Sequence, residues 1–190
     1  MKIFMAVTIS LPVKLAQAGL LALLAAASGA SQAQSHFEED FDDANKPWQE
    51  ISVQLPAVPE KANLLDFDAG NSTSMHFAVD ARSISVGGDG VVRYTLVSRS
   101  PSGAENISYE GIRCETQERK LYAFGHKDGS WSRSRRDRWE RFTGTAANRQ
   151  HATLARDYFC TGSVVEGSTE QITRRLRDKR PLIQVLPSGG

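Results

Sequence analysis

The sequence predicts an α+β domain in which an antiparallel meander sheet of five or six strands precedes two C-terminal helices. Three observations predict it. Runs of six to nine residues between Met75 and His126 are rich in β-branched and aromatic side chains and are separated by Gly, Pro and Asp turns. After Ala146 the apolar spacing becomes helical, and Ser168 opens a second helical stretch that runs to Pro181. The 190 residues, 40% hydrophobic and 24% charged, suit one medium domain and exclude disordered, collagen-like and disulfide-dense classes. The alternative architecture is an all-β sandwich or barrel carrying short helices.

In chain order, Ile51, Val53 and Leu55 alternate with polar residues before Pro56 and Pro59, which predicts a short edge strand and then a loop. Residues 64–74 carry Asn, Asp, Gly and Ser in quantity and read as loop. Residues 75–86 place Phe77, Val79, Ile84 and Val86 in alternation, and Gly87-Gly88-Asp89-Gly90 supplies a hairpin turn into 91–98. Turns at Pro101-Ser102-Gly103 and Lys127-Asp128-Gly129 bracket two further strands, 106–114 and 120–126. After Trp131 the residues are charged and helix-compatible. Ala147, Leu154, Ala155 and Tyr158 sit at roughly helical spacing, so a helix over 146–159 closes at Cys160. Ser168 with Gln171 three residues on forms a capping box, Ile172 and Leu176 make an apolar i,i+4 pair, and Arg177, Lys179 and Arg180 suit the negative end of the helix dipole. Residues 182–186 form a last strand or a tail.

Residues 1–33 read as a secretory signal peptide. Lys2 and Lys14 precede the run LLALLAAA at 20–27, and Ser31-Gln32-Ala33 is a small-x-small site. Such a run is too short for a spanning helix, which needs about 20 apolar residues. With no cysteine beside that site, a soluble periplasmic protein is expected. The expected organisation is an acidic, aromatic arm at 34–50 tied down by Phe37, Phe41 and Trp48, a globular domain at 51–186 and a tail at 187–190.

Cys114 and Cys160 are the only cysteines. An even count in an oxidising compartment favours a disulfide. Two buried free thiols, or a nucleophilic thiol served by Asn148 and His151, are the alternatives.

Charge is divided along the chain. Residues 34–110 hold 5 basic and 13 acidic side chains, and residues 111–190 hold 16 basic and 9 acidic. The basic half contains WSRSRRDRWERF at 131–142, with Arg133, Arg135, Arg136, Arg138 and Arg141 between and beyond Trp131 and Trp139. Guanidinium forks match phosphate and carboxylate, and indoles stack on sugars or bases, so this run is the candidate anion-binding face. The competing reading makes both tryptophans core and the arginines a solvated face. For an exported chain the partners are an envelope protein, an anionic lipid or an acidic glycan rather than nucleic acid.

Motifs for chemistry are absent: no HExxH, GxSxG, phosphate-binding Gly-rich Lys loop, GxGxxG or CxxC occurs. No metal site or cofactor is expected, because His36, His76, His126 and His151 are dispersed and the acidic cluster at 38–43 lacks the Gly-punctuated loop of a calcium site. An acid/base pair of His126 and Asp128, joined by His151, is the alternative that would make the protein a hydrolase.

The stretch Tyr109-Glu110-Gly111-Ile112-Arg113-Cys114, with Tyr122-Ala123-Phe124-Gly125, Asp128-Gly129-Ser130-Trp131, Trp139 and the helix end Tyr158-Phe159-Cys160, resembles the cryptic neisserial protein (CNP-like) family. The likeness covers about residues 37–180. It implies export to the envelope, supports pairing of Cys114 with Cys160 and carries over no catalytic residue. Members commonly bear a lipid-anchor cysteine near the end of the leader, which this sequence lacks. The expected function is a non-enzymatic cell-envelope protein that binds a partner or polyanion through its Arg/Trp-rich face.

Overall fold

Long β-rich runs joined by tight turns dictate a meander, and the central strands pair as such. The structure is a computed structural model that describes residues 47–70, 74–143 and 148–182. The leader, the acidic arm as far as Lys46 and the tail from residue 183 lie outside the described residues.

Strands β1 (Leu64–Phe67), β2 (His76–Asp80), β3 (Ser85–Val86), β4 (Val91–Arg99), β5 (Glu105–Arg113), β6 (Glu118–Gly125), β7 (Trp131–Arg133) and β8 (Glu140–Arg141) form one antiparallel sheet. Its main path runs β1-β2-β4-β5-β6-β7, with β3 also on β4 and β8 also on β6. Two helical segments follow. Helix α1 (Arg149–Thr153) continues directly into a π-helical turn, Leu154–Phe159, and α2 spans Thr169–Arg177. The short hairpin of β9 (Cys160–Thr161) and β10 (Val164–Val165) lies between them. This is the α+β meander with two C-terminal helices.

Four local expectations are corrected. Residues 64–67 are strand, because Leu64 and Leu65 pair with Asp80 and Val79 and lend the sheet an edge that the neighbouring loop-forming residues hide from a local reading. Residues 75–86 do not run as one strand: Ala81, Arg82 and Ser83 turn the chain, and Ser83 returns both its backbone N–H and its hydroxyl to the Asp80 carbonyl. Residues 51–60 form no strand but lie extended across the sheet, held by side chains rather than by a backbone ladder. The charged run after Trp131 is two short strand pieces and a loop, since β6 has an open edge that residues 131–133 and 140–141 both pair with.

Alternation gives the sheet two different faces. Val92, Tyr94, Leu96 and Ile112 point to the helices and meet Leu154, Phe159, Ile172 and Leu176 in the core. The capping box of α2 is present, with the Ser168 hydroxyl accepting from the Gln171 N–H and the Gln171 side chain accepting from the Ser168 N–H. Helix α2 ends at Arg177, before Pro181, with Lys179 in a left-handed conformation at φ 51°. Cys114, one residue past β5, is bonded to Cys160 at the end of the π-helical turn. The disulfide therefore ties the sheet to the helical layer. No helix among the described residues is long and apolar enough to cross a membrane.

Candidate functional site

The opposite sheet face carries Arg93, Tyr109, Gly111, Lys120 and Tyr122, and the segment 47–60 straps it. A register slip between Tyr109 and Glu110 leaves Tyr122 without a direct partner on β5. Its ring occupies the space over Gly111, where an added Cβ would lie 2.7 Å from the Tyr122 hydroxyl. From there the hydroxyl donates to Glu50 at 2.7 Å. Glu50 also takes Lys120 at 2.8 Å. Arg93 grips Asp89 with both terminal nitrogens, at 3.1 and 2.5 Å, and Asp89 accepts from the Ile51 N–H at 3.0 Å. Burial acts to raise the Asp89 pKa, but hydrogen bonds from Arg93 and the Ile51 backbone outweigh it and hold the carboxyl below its ordinary range. Burial, reinforced by Glu50, pushes the Tyr122 phenol far up, so it stays a donor.

The arginine run sits on the outer edge of this face. Arg133 on β7 stands opposite Ala123, and Arg141 on β8 stands opposite Glu118, so the 134–139 loop spans the edge of β6 between two anchored ends. The acidic residues within the run are engaged. Asp137 pairs with Lys120 at 2.7 Å, and Glu140 accepts from Arg138 at 3.0 Å with Arg119 at 3.9 Å. Arg133, Arg135, Arg136 and Arg141 are all exposed and have no ion-pair partner among the described residues.

Both tryptophans of the run are half-buried and turned into the strapped face. Trp131 donates its indole N–H to the Pro56 carbonyl at 2.9 Å and packs edge-on to Tyr109 at 6.2 Å. Trp139 meets Trp48 at 5.9 Å and Tyr122 at 6.5 Å, both edge-on. Trp48 is itself stacked under the Arg113 guanidinium, 4.0 Å from the ring centre, and donates to the Asp89 carbonyl at 2.8 Å. The indoles thus join the strap to the arginine edge.

His126 and His151 engage different partners. His126 bonds Ser132 at 2.6 Å, while Asp128 accepts from the backbone and hydroxyl of Ser130 at the same turn. His151 lies behind the sheet, buried, with its Nε2 2.7 Å from Glu110. Glu110 also accepts from Ser108 at 2.7 Å and from Tyr94 at 3.2 Å. Burial acts to raise the Glu110 pKa, but attraction and hydrogen bonding from His151, with Ser108 in support, keep it below the ordinary glutamate range. His151 Nδ1 is buried without a partner among the described residues. Among those residues no three His, Cys, Asp or Glu side chains gather as metal ligands.

Sequence reading missed this Glu110 cluster and the Asp89, Arg93 and Glu50 network. Tyr94 and Glu110 are cross-strand partners, a relation that the β4–β5 hairpin register carries, whereas nothing local links His151 or Glu50 to the sheet.

These features define a disulfide-tied α+β domain with a strapped sheet face and a cationic edge. The chain belongs to the CNP1-like family, whose model matches residues 43–177. It is similar to cryptic neisserial protein 1 of Neisseria gonorrhoeae, with 26% identity over 161 residues that cover 75% of this chain and 77% of that protein. No solved structure matches it.

Proposed function

We propose that this protein is an exported, non-enzymatic component of the cell envelope that binds an anionic partner through the arginines of the β7–β8 edge. The observation that carries this reading is that Arg133, Arg135, Arg136 and Arg141 stand exposed with no ion pair among the described residues, while Asp137 and Glu140 are already paired. Guanidinium groups bind phosphate and carboxylate through paired N–H donors and keep their charge at any physiological pH. Arginines held at both ends by strand pairing lose less freedom on binding than a free tail would. The leader-like residues 1–33 and a disulfide between Cys114 and Cys160 support an oxidising compartment outside the cytoplasm.

Charge reversal tests the reading. Arg135→Glu with Arg136→Glu is expected to abolish retention on anionic envelope fractions while the unfolding midpoint stays within the small range typical of surface changes. Unchanged retention would remove the arginine edge from the function. Fractionation of cells expressing the full chain tests export separately, through recovery in the periplasmic fraction with a mass that begins at Gln34.

A further inference from the structure

Taking the anion-binding reading of the β7–β8 edge as its basis, we propose that the ligand is a linear carboxylated glycan, bound lengthwise along the edge of β6. Arg133 and Arg141 face β6 residues five positions apart, Ala123 and Glu118, a span of about 16 Å at the usual strand rise of about 3.3 Å per residue. Arg135 and Arg136 lie on the loop between them. These arginines, none in an ion pair among the described residues, therefore form a row rather than a cluster, with Glu118 opposite Arg141 at one end. A compact anion such as one phosphate fills a single fork of such a row, while a chain with one carboxylate per sugar meets several at once.

The aromatic residues decide among polyanions. Single-stranded nucleic acid is held by stacking its bases on exposed rings. Trp131 and Trp139 are half-buried and packed against Tyr109, Tyr122 and Trp48, not set out as the open platforms that base stacking uses. A bilayer surface is gripped by basic residues together with apolar or aromatic side chains that enter the interface. Beside the arginines stands one exposed ring, Phe124, paired opposite Ser132 and so on the face of the sheet away from Arg133 and Trp131. Charge and guanidinium geometry are what remain, and they suit a hydrophilic carboxylated chain.

The test uses the folded full chain and galacturonic acid as monomer, dimer and octamer, read by calorimetry. Vesicles of phosphatidylglycerol in phosphatidylcholine and single-stranded oligothymidylate run in parallel. Affinity is expected to rise about tenfold or more from dimer to octamer, as a chain engages successive arginines. Arg133→Ala and Arg141→Ala, at the ends of the row, are expected to erase most of that gain while weakening dimer binding by a smaller factor. Arg135→Ala with Arg136→Ala is expected to weaken both ligands, and circular dichroism verifies that each variant is folded. An octamer that binds no better than the dimer, or end variants without effect, would overturn the lengthwise glycan and leave an anion site. Binding of vesicles or oligothymidylate without the octamer would likewise overturn the glycan alone. If the folded protein binds none of these, the glycan and the anion-binding reading both fall.

Discussion

Replacing Glu110 with Ala removes the acceptor at the centre of a buried polar cluster. Glu110 and His151 have side chains only 6% and 4% exposed, and Glu110 takes hydrogen bonds from Ser108, Tyr94 and His151. An interior donor left unpaired costs about 1–3 kcal/mol, and three are orphaned here. Together these orphaned donors give an expected loss of about 4 kcal/mol, a large part of the 5–15 kcal/mol typical of a domain. Urea unfolding followed by tryptophan fluorescence measures it. At a slope of about 2 kcal/mol per M the midpoint falls by about 2 M. The pH dependence supplies a second, signed readout. The folded-state pKa of Glu110 is depressed, because attraction and hydrogen bonds from His151 and Ser108 overcome the opposing effect of burial. Its contribution is therefore fully present above the unfolded glutamate pKa and is lost as pH falls through the folded value. Glu110→Gln keeps the shape and is expected to flatten that acid limb. A Glu110→Ala loss under about 1 kcal/mol, or an acid limb unchanged in Glu110→Gln, would refute the assignment of Glu110 as a keystone between sheet and helix.

Reduction, or Cys114→Ala with Cys160→Ala, opens a crosslink of 46 residues in sequence separation; the chain-entropy argument gives a loss of about 4 kcal/mol, read by thermal and urea unfolding with and without reductant. Gly111→Ala sets a methyl group against Tyr122 and Val91 and is expected to cost about 1–3 kcal/mol, whereas Gly88→Ala, which meets no atom within 4 Å, is expected to leave the unfolding midpoint nearly unchanged. Arg93→Ala leaves Asp89 buried without its guanidinium, and is expected to cost about 3 kcal/mol and to speed proteolysis of residues 47–60, seen as early cleavage in limited digestion. Arg135→Glu with Arg136→Glu touches neither network, so its unfolding midpoint should match wild type within about 0.5 kcal/mol while retention on anionic fractions is lost.

The fold class, the β4–β5 meander, the capping box at Ser168 and the cysteine pair were legible in the sequence because each depends on near neighbours or on simple counting. Alternation states which residues share a face, Ser168 with Gln171 states where a helix begins, and two cysteines allow a single pairing. The arginine run was also visible as chemistry, although not as an edge. Other features came only from tertiary structure. The strand at 64–67 exists because β2 offers it an edge, and residues 51–55 keep their alternation yet form no strand because the sheet face presents them with side-chain donors and acceptors instead of a backbone ladder. Which arginines stand outside ion pairs depended on Lys120 reaching Asp137 and on Arg138 turning to Glu140. Glu110 and His151 stand 41 residues apart, and Glu50 and Tyr122 stand 72 apart. Local pattern carries backbone preference and facing, but pairing between distant charges is set by how the layers close. The sequence by itself therefore determined the elements and the cationic run, and the closed fold decided which of its charges remain available to a ligand.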